Sequence, residues 1–331
     1  MIKASKARVT SHGEKIFVAG HKGLVGAAVT KKILEEGRGE LVLRGRDSLD
    51  LTDRNEVDDF FDSERPDVIV LAAARVGGIL ANERNPVDFL EINLRIQLNV
   101  ISAAASRGVS KLIFLGSSCI YPRDCKQPIK EEYLLTDSLE STNRAYALAK
   151  IAGIELCNSY NRQFGTQYVS LMPTNLYGPG DNYNPENSHV IPGLIRRIHE
   201  AKKKARKSVV IWGTGTPKRE FLFSEDLADA CLFVIDNMAV IDNCLQEELA
   251  IPILNVGSGE EVSIKKLAQS ICTVIGYEGR LEFDSSKPDG TPRKLLDTTR
   301  MSNLGWTPST PLISGLKMAY QNFCERHGSE I

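Results

Sequence analysis

Apolar residues recur along this chain in two periods. Short apolar runs come first in each unit: Ile16 to Ala19, Leu41 to Leu43, Val68 to Leu71, Leu112 to Leu115 and, broken only by Ser170, Tyr168 to Met172. Runs of that length and β-branched content predict strands buried on both faces. Between them apolar positions fall three and four apart, as at Val29, Ile33 and Leu34 before Gly37, and predict amphipathic helices. Further helices are expected around 57–61, from Pro86 to Ser106 and over 140–164. The strands are read as Glu14–Gly20, Glu40–Arg44, Asp67–Ala74, 112–119 and Tyr168–Met172. Strand and helix in strict alternation imply an α/β fold with a doubly wound parallel sheet.

Past Pro173-Thr174-Asn175-Leu176-Tyr177-Gly178-Pro179-Gly180 the texture changes to a Pro/Asn/Gly-rich loop through Pro185 and His189. Short strands at Val209–Trp212 and Ile253–Val256 then mix with helices near 224–238, 263–275 and 312–326. This predicts a smaller mixed α/β C-terminal lobe over the carboxyl edge of the sheet, with a substrate cleft between. Residues 1–178 form the expected cofactor domain, with 224–258 returning to it; 179–223 and 259–331 form the expected substrate lobe.

Composition narrows the classes. The chain has 331 residues, 42% hydrophobic and 25% charged, with a formal net charge of −1. Those values suit an ordinary soluble globular protein and give no reason to invoke nucleic acid or an anionic membrane. No run of about 18 apolar residues suggests a span. The basic stretch Arg196 to Lys207 reads as a helix end and its solvated face. Residues 1–14 have no apolar segment and read as a frayed tail. Seven scattered cysteines, without Cys-x-x-Cys or a histidine cluster, argue for a reducing, cytoplasmic setting and against a metal site.

Two motifs carry chemistry. Strand, then Gly20-His21-Lys22-Gly23-Leu24-Val25-Gly26, then helix is the context of a dinucleotide-binding (Rossmann) turn. Its glycines allow a tight turn and close approach to a pyrophosphate. Arg46, helped by Lys22 or Arg44, favours a 2′-phosphate and hence NADP(H). Asp47 keeps the ribose hydroxyl of NAD open, and a solvated loop charge is the plain alternative. Downstream, Tyr146 and Lys150 are one helical turn apart. An ammonium beside a phenol lowers its pKa. With Ser117 donating to the same oxygen, the trio suits interconversion of ketone and alcohol.

Gly20-x-x-Gly23-x-x-Gly26, Ser117 and Tyr146-x-x-x-Lys150 together resemble the extended short-chain dehydrogenase/reductase family. Leu115-Gly116-Ser117-Ser118-Cys119, Asn187-Ser188-His189-Val190 and Lys287-Pro288-Asp289-Gly290-Thr291-Pro292-Arg293-Lys294 are similar to its members acting on GDP-linked 4-keto sugars. The likeness covers about 15–308. It implies 3,5-epimerisation of GDP-4-keto-6-deoxy-D-mannose followed by NADPH reduction at C4. Cys119, on Ser117's side of the strand, is the candidate base and His189 the candidate acid; Tyr146 protonates the C4 oxygen. Cofactor contacts are implied for the 20–26 loop, for Arg46, Asp47, Ser48, Leu49, Asp50 and Leu51, and for Leu115, Gly116 and Ser117. Lys150, Pro173, Thr174, Asn175, Leu176 and His189 complete that set. Arg197, Trp212, Arg219 and Asp289 are implied for the nucleotide sugar. A homodimer through helices 86–106 and 140–164 is implied as well. The rival readings are a 4-epimerase or 4,6-dehydratase that recycles NAD, and a non-catalytic NADP sensor.

Overall fold

The computed structural model describes residues 13–185, 188–248, 252–287 and 289–327. The expected tail lies almost wholly outside them, as do Asn187 and Pro288. The first half alternates β1 (Lys15–Ala19), α1 (Leu24–Glu35), β2 (Glu40–Val42), α2 (Arg54–Glu64) and β3 (Val68–Leu71). It continues through α3 (Ile79–Arg84), α4 (Pro86–Ser106), β4 (Lys111–Leu115), α5 (Arg144–Phe164), β5 (Gln167–Pro173) and β6 (Asn175–Tyr177). The second half runs α6 (Val190–Lys203), β7 (Ser208–Trp212), β8 (Lys218–Phe223), α7 (Ser224–Asp236), α8 (Met238–Glu248) and β9 (Ile253–Val256). It ends with β10 (Glu261–Ser263), α9 (Ile264–Ile275), β11 (Arg280–Asp284), β12 (Arg293–Lys294), α10 (Thr299–Leu304) and α11 (Leu312–His327).

One sheet is parallel throughout in the order β2-β1-β3-β4-β5-β9. Strand period two sends Phe17, Ile69 and Phe114 to one face with Val57, Val100 and Ile154 of α2, α4 and α5. Val18, Val70 and Ile113 pack on the other with Val29 of α1 and Leu227 of α7. Burial of both faces explains why these strands are apolar runs instead of alternating ones. The chain leaves β1 to β2 on one side and returns to β3 on the other, so the crevice above β1 and β3 is the switch point at which doubly wound sheets bind ligands. A second core, with Leu194 and Ile198 of α6, Ile271 of α9 and Phe323 of α11, holds the remaining strands.

Two local departures matter for the site. The strand expected over 112–119 ends at Leu115, and Ser118–Ile120 is a 3₁₀ turn. Ser117 Oγ accepts from the Cys119 amide at 3.3 Å, offering the backbone a partner that competes with the ladder. Strand alternation therefore does not apply to Ser117 and Cys119. The helix expected from 140 starts at Arg144, after a 3₁₀ turn at Ser141–Asn143 that Glu140 caps.

Candidate active site

The end of β4, the 3₁₀ turn and the first turns of α5 meet at the carboxyl edge of the sheet. Gly153 lets α5 approach: a Cβ there would lie 2.5 Å from Phe114. Gln97 of α4 donates to the Ala149 carbonyl at 2.8 Å and fixes the helix along its axis. Lys150 is consequently buried, its Nζ donating to the Leu115 carbonyl at 2.7 Å and lying 5.8 Å from the Tyr146 ring centre. Phe89 of α4 meets that ring edge-on at 6.3 Å.

Electrostatics here are governed by burial. Desolvation pulls the Lys150 ammonium down to about 8, against the stabilising influence of Cys119. The phenol of Tyr146 is pushed well above its ordinary range by burial and then by Cys119, the reverse of the depression expected from a neighbouring ammonium alone. Lys150 spends a proton on Leu115 and does not offset the desolvation of the ring oxygen. Burial also raises the Cys119 thiol; Lys294 opposes it most, then the Ser117 hydroxyl and Lys150. Phenol, ammonium, hydroxyl and thiol thus share one electrostatic environment, with a second ammonium facing the sulfur. Lys294 is a site residue the sequence reading missed. It lies in a quoted motif, yet nothing local shows that β12 returns to the Cys119 turn.

His189 stands apart from this cluster. It occupies the N-cap of α6, with its carbonyl accepting from Gly193. Its side chain is exposed but lies in a cleft crowded enough for desolvation to lower its pKa. The adjacent Ser188 carbonyl would be 3.8 Å from a Cβ on Gly78, the N-cap of α3. Gly77, next in that loop, would meet the ring of Phe89 at 3.0 Å. The His189 loop is therefore reached from Tyr146 through Phe89 and the 77–78 turn.

The dinucleotide loop separates into two kinds of glycine. Gly20 has φ 87°, and a Cβ there would be 2.7 Å from the Ala73 amide; at Gly26 it would be 2.1 Å from the Gly20 carbonyl. Both are demanded by the protein's own packing. At Gly23, N-cap of α1, the nearest atom is an ordinary 3.4 Å away, so its missing side chain serves whatever approaches from outside. His21 Nδ1 is buried beside it without a partner among the described residues. These features fit a dinucleotide phosphate. Lys22 reaches Gly45, where a Cβ would lie 2.9 Å from its Nζ, whereas Arg44 pairs with Glu64 and lies over Phe60. Arg46 is exposed and 3.8 Å from Asp50, so Lys22 and Arg46 are the cations beside the second strand's end. Asp50 accepts from Thr52, and Ser48 donates to the Gly45 carbonyl; Leu49 is buried and the Leu51 carbonyl accepts from Asn99. Asp47 follows Arg46 in that turn. Beyond β5, the side chains of Thr174 and Asn175 both donate inward to the Glu220 carbonyl, at 3.3 and 3.0 Å, between Pro173 and Leu176.

The four residues implied for the nucleotide sugar gather around β7 and β8. Arg197 of α6 donates to the carbonyls of Gly193 and Val210, and burial lowers its guanidinium pKa. Trp212 is 62% exposed, with Lys287 5.7 Å from its ring centre. Arg219 is likewise desolvated, and Asp289 supports its charge. Asp289 already accepts twice from Thr214, at 2.9 and 2.7 Å, so its first duty is to hold the 213–216 turn.

Residues 16–251 match the model of the NAD dependent epimerase/dehydratase family. The chain belongs to that family. GDP-L-fucose synthase 1 of Arabidopsis thaliana is 51% identical over 98% of this chain and 99% of its own. GDP-L-fucose synthase of Escherichia coli (strain K12) is 52% identical over 94% and 97%. Among solved structures, the GDP-mannoheptose C4 reductase MlghC from Campylobacter jejuni with NADP bound superposes with a TM-score of 0.85, at 36% identity over 94% and 98%. The fold built on the parallel sheet is thus shared with solved relatives of this epimerase/dehydratase family chain.

Proposed function

We propose that this protein converts GDP-4-keto-6-deoxy-D-mannose to GDP-L-fucose, by epimerisation at C3 and C5 followed by NADPH-dependent reduction of the C4 ketone. The observation that carries it is the meeting of Tyr146, Lys150, Ser117 and Cys119 at one sheet edge, in a chain about half identical to GDP-L-fucose synthases along its whole length.

The chemistry follows from the groups. Protons beside a ketone become removable when the developing enolate oxygen is held by donors, here Tyr146 Oη and Ser117 Oγ. Cys119 as thiolate takes a proton, and His189 returns one to the opposite face, inverting the centre. Lys294 and Lys150 favour the thiolate against the cost of burial. The 20–26 loop, Lys22 and Arg46 would hold NADPH, which would supply a hydride for C4. Tyr146 then gives its proton to the C4 oxygen; burial holds its pKa high, so the transfer is downhill only to a strongly basic alkoxide. Arg197 and Arg219 suit the diphosphate, Trp212 a flat ring, and Asp289 a hydroxyl or guanine N–H.

Residues 1–178 with 224–258 act as the cofactor unit and the remainder as the substrate unit; pairing of β9 with β5 supports that division. The protein works as a homodimer through α4 and α5, where Leu98 and Leu148 stand exposed. All seven cysteines are free thiols, which supports a cytoplasmic setting. Mixing the enzyme with GDP-4-keto-6-deoxymannose and NADPH tests the reading: one NADPH is oxidised per sugar. Turnover without net oxidation would instead mark an epimerase or dehydratase that recycles NAD.

A further inference from the structure

Glu220 is a fully buried carboxyl that the reaction above does not use. It lies on β8 directly after Arg219, among the residues that hold the two lobes together. Its Oε1 accepts from the Gly259 amide at 2.8 Å and its Oε2 from the Leu296 amide at 3.0 Å. Its own carbonyl accepts from Thr174 Oγ1 and Asn175 Nδ2. Gly257 makes room for it, since a Cβ there would be 2.2 Å from Oε1. No cation pairs with it among the described residues.

A buried carboxyl held only by backbone amides and hydroxyls is costly, and an amide side chain would fill the same volume at less desolvation cost. What an amide lacks is a second acceptor oxygen. Two amides approach Glu220 from different segments, and only a carboxylate accepts from both. One amide belongs to the β9–β10 turn. The other belongs to the strap that follows β12, two residues past Lys294. That strap is itself tied to the loop after Cys119: Ile129 donates to the Leu295 carbonyl at 2.7 Å, and Asp297 donates to the Ile129 carbonyl at 2.8 Å. Lys294 lies in register with Arg219 on the adjoining strand.

We infer that Glu220 is a positioning residue: it sets the register of Arg219 and Lys294 against the Thr174–Asn175 segment, and so aligns the nucleotide sugar with the cofactor. The inference rests on the functional reading above for what the two sides hold. Its backbone carbonyl faces the cofactor segment, and its carboxylate faces the strap and the β9–β10 turn, with the Thr174 hydroxyl also favouring its charge. Glu220→Gln keeps one acceptor oxygen and so loosens the strap against the β9–β10 turn, while the bonds to its backbone carbonyl remain.

The test compares wild type with Glu220→Gln in three measurements. Turnover at a fixed saturating NADPH should show kcat/KM for the nucleotide sugar reduced about 100-fold, the scale of a misplacement near 1 Å. The Kd for NADPH should stay within about twofold. Amide hydrogen exchange should accelerate at Leu296 and Gly259, with Ile113 and Val169 of the central sheet unchanged. Equal losses of sugar and NADPH affinity, unchanged kinetics, or a variant that fails to fold would each overturn the inference, because the carboxyl would then support the fold or nothing. In wild type, Leu296 and Gly259 amides that exchange as fast as surface loops would overturn it as well. Binding of GDP alone separates the two readings. If wild type does not oxidise NADPH with the sugar, the functional reading falls, while loss of GDP affinity in Glu220→Gln still upholds the role of Glu220.

Discussion

Burial moves Cys119 and Lys150 in opposite directions, and that gives the two chemistries different pH limbs. The thiol is pushed up, so the thiolate that removes a proton grows as pH rises past neutrality. The Lys150 ammonium is pulled down to about 8 and is lost as pH rises through that value. We predict that exchange of solvent deuterium into the sugar climbs between about pH 7 and pH 9 while the reduction rate falls over the upper half of that range. Stopped-flow absorbance and mass spectrometry of the same samples check both limbs. Asp181 gives a stability prediction of the opposite kind. Its carboxyl is buried, one oxygen has no partner among the described residues, and its pKa is raised to about 7. The folded state therefore keeps a proton that the unfolded chain releases above about 4, and stability falls as pH rises from there to 7. Asp181→Asn should remove that slope and stabilise the protein at pH 8 by on the order of 2 kcal/mol, measured by urea unfolding. At this scale the sequence was partly legible. Tyr146 and Lys150 are local, four apart on one helix, and their pairing needs no tertiary information. Lys294 acts on Cys119 from 175 positions further along the chain, and the upward shift of the phenol comes from a burial that periodicity does not encode.

Elements show where pattern and packing part. The apolar runs mark β1, β3, β4 and β5 because strands buried on both faces have no polar alternation to hide them. Polar, half-exposed strands such as β10, β11 and β12 carry no such signal and were not anticipated. The 112–119 strand was overextended because a hydroxyl's bond to a nearby amide is invisible to hydrophobic counting. The dinucleotide loop offers a clean separation of roles within one turn. Gly26→Ala places a methyl against the Gly20 carbonyl and should lower the melting temperature sharply, with loss of cofactor binding as a consequence. Gly23→Ala finds space in the protein and should leave the melting temperature nearly unchanged while weakening NADPH about 10-fold, read by fluorescence titration.

For the whole molecule, the sheet order puts the glycine loop and the Tyr146 cluster on one carboxyl edge, and the strap after β12 ties β8, with Arg219, to the loop after Cys119. None of the helices described is long and apolar enough to cross a membrane. On the opposite flank, Leu98 is 54% and Leu148 40% exposed on the paired helices α4 and α5. The homodimer proposed above predicts that Leu98→Glu sediments as a monomer where wild type sediments as a dimer. The fold class was readable from alternation alone, whereas the gathering of Arg197, Trp212, Arg219 and Asp289 required the second lobe's topology. The central claim is that thiol and phenol act on one carbonyl in sequence. It is tested most directly by running wild type, Cys119→Ser and Tyr146→Phe in deuterated water with GDP-4-keto-6-deoxymannose and NADPH, following deuterium in the sugar and NADPH absorbance together. We expect two solvent deuterons per wild-type product, no solvent deuterium with Cys119→Ser, and no NADPH oxidation with Tyr146→Phe. Normal deuterium uptake by Cys119→Ser, or normal NADPH oxidation by Tyr146→Phe, would contradict it.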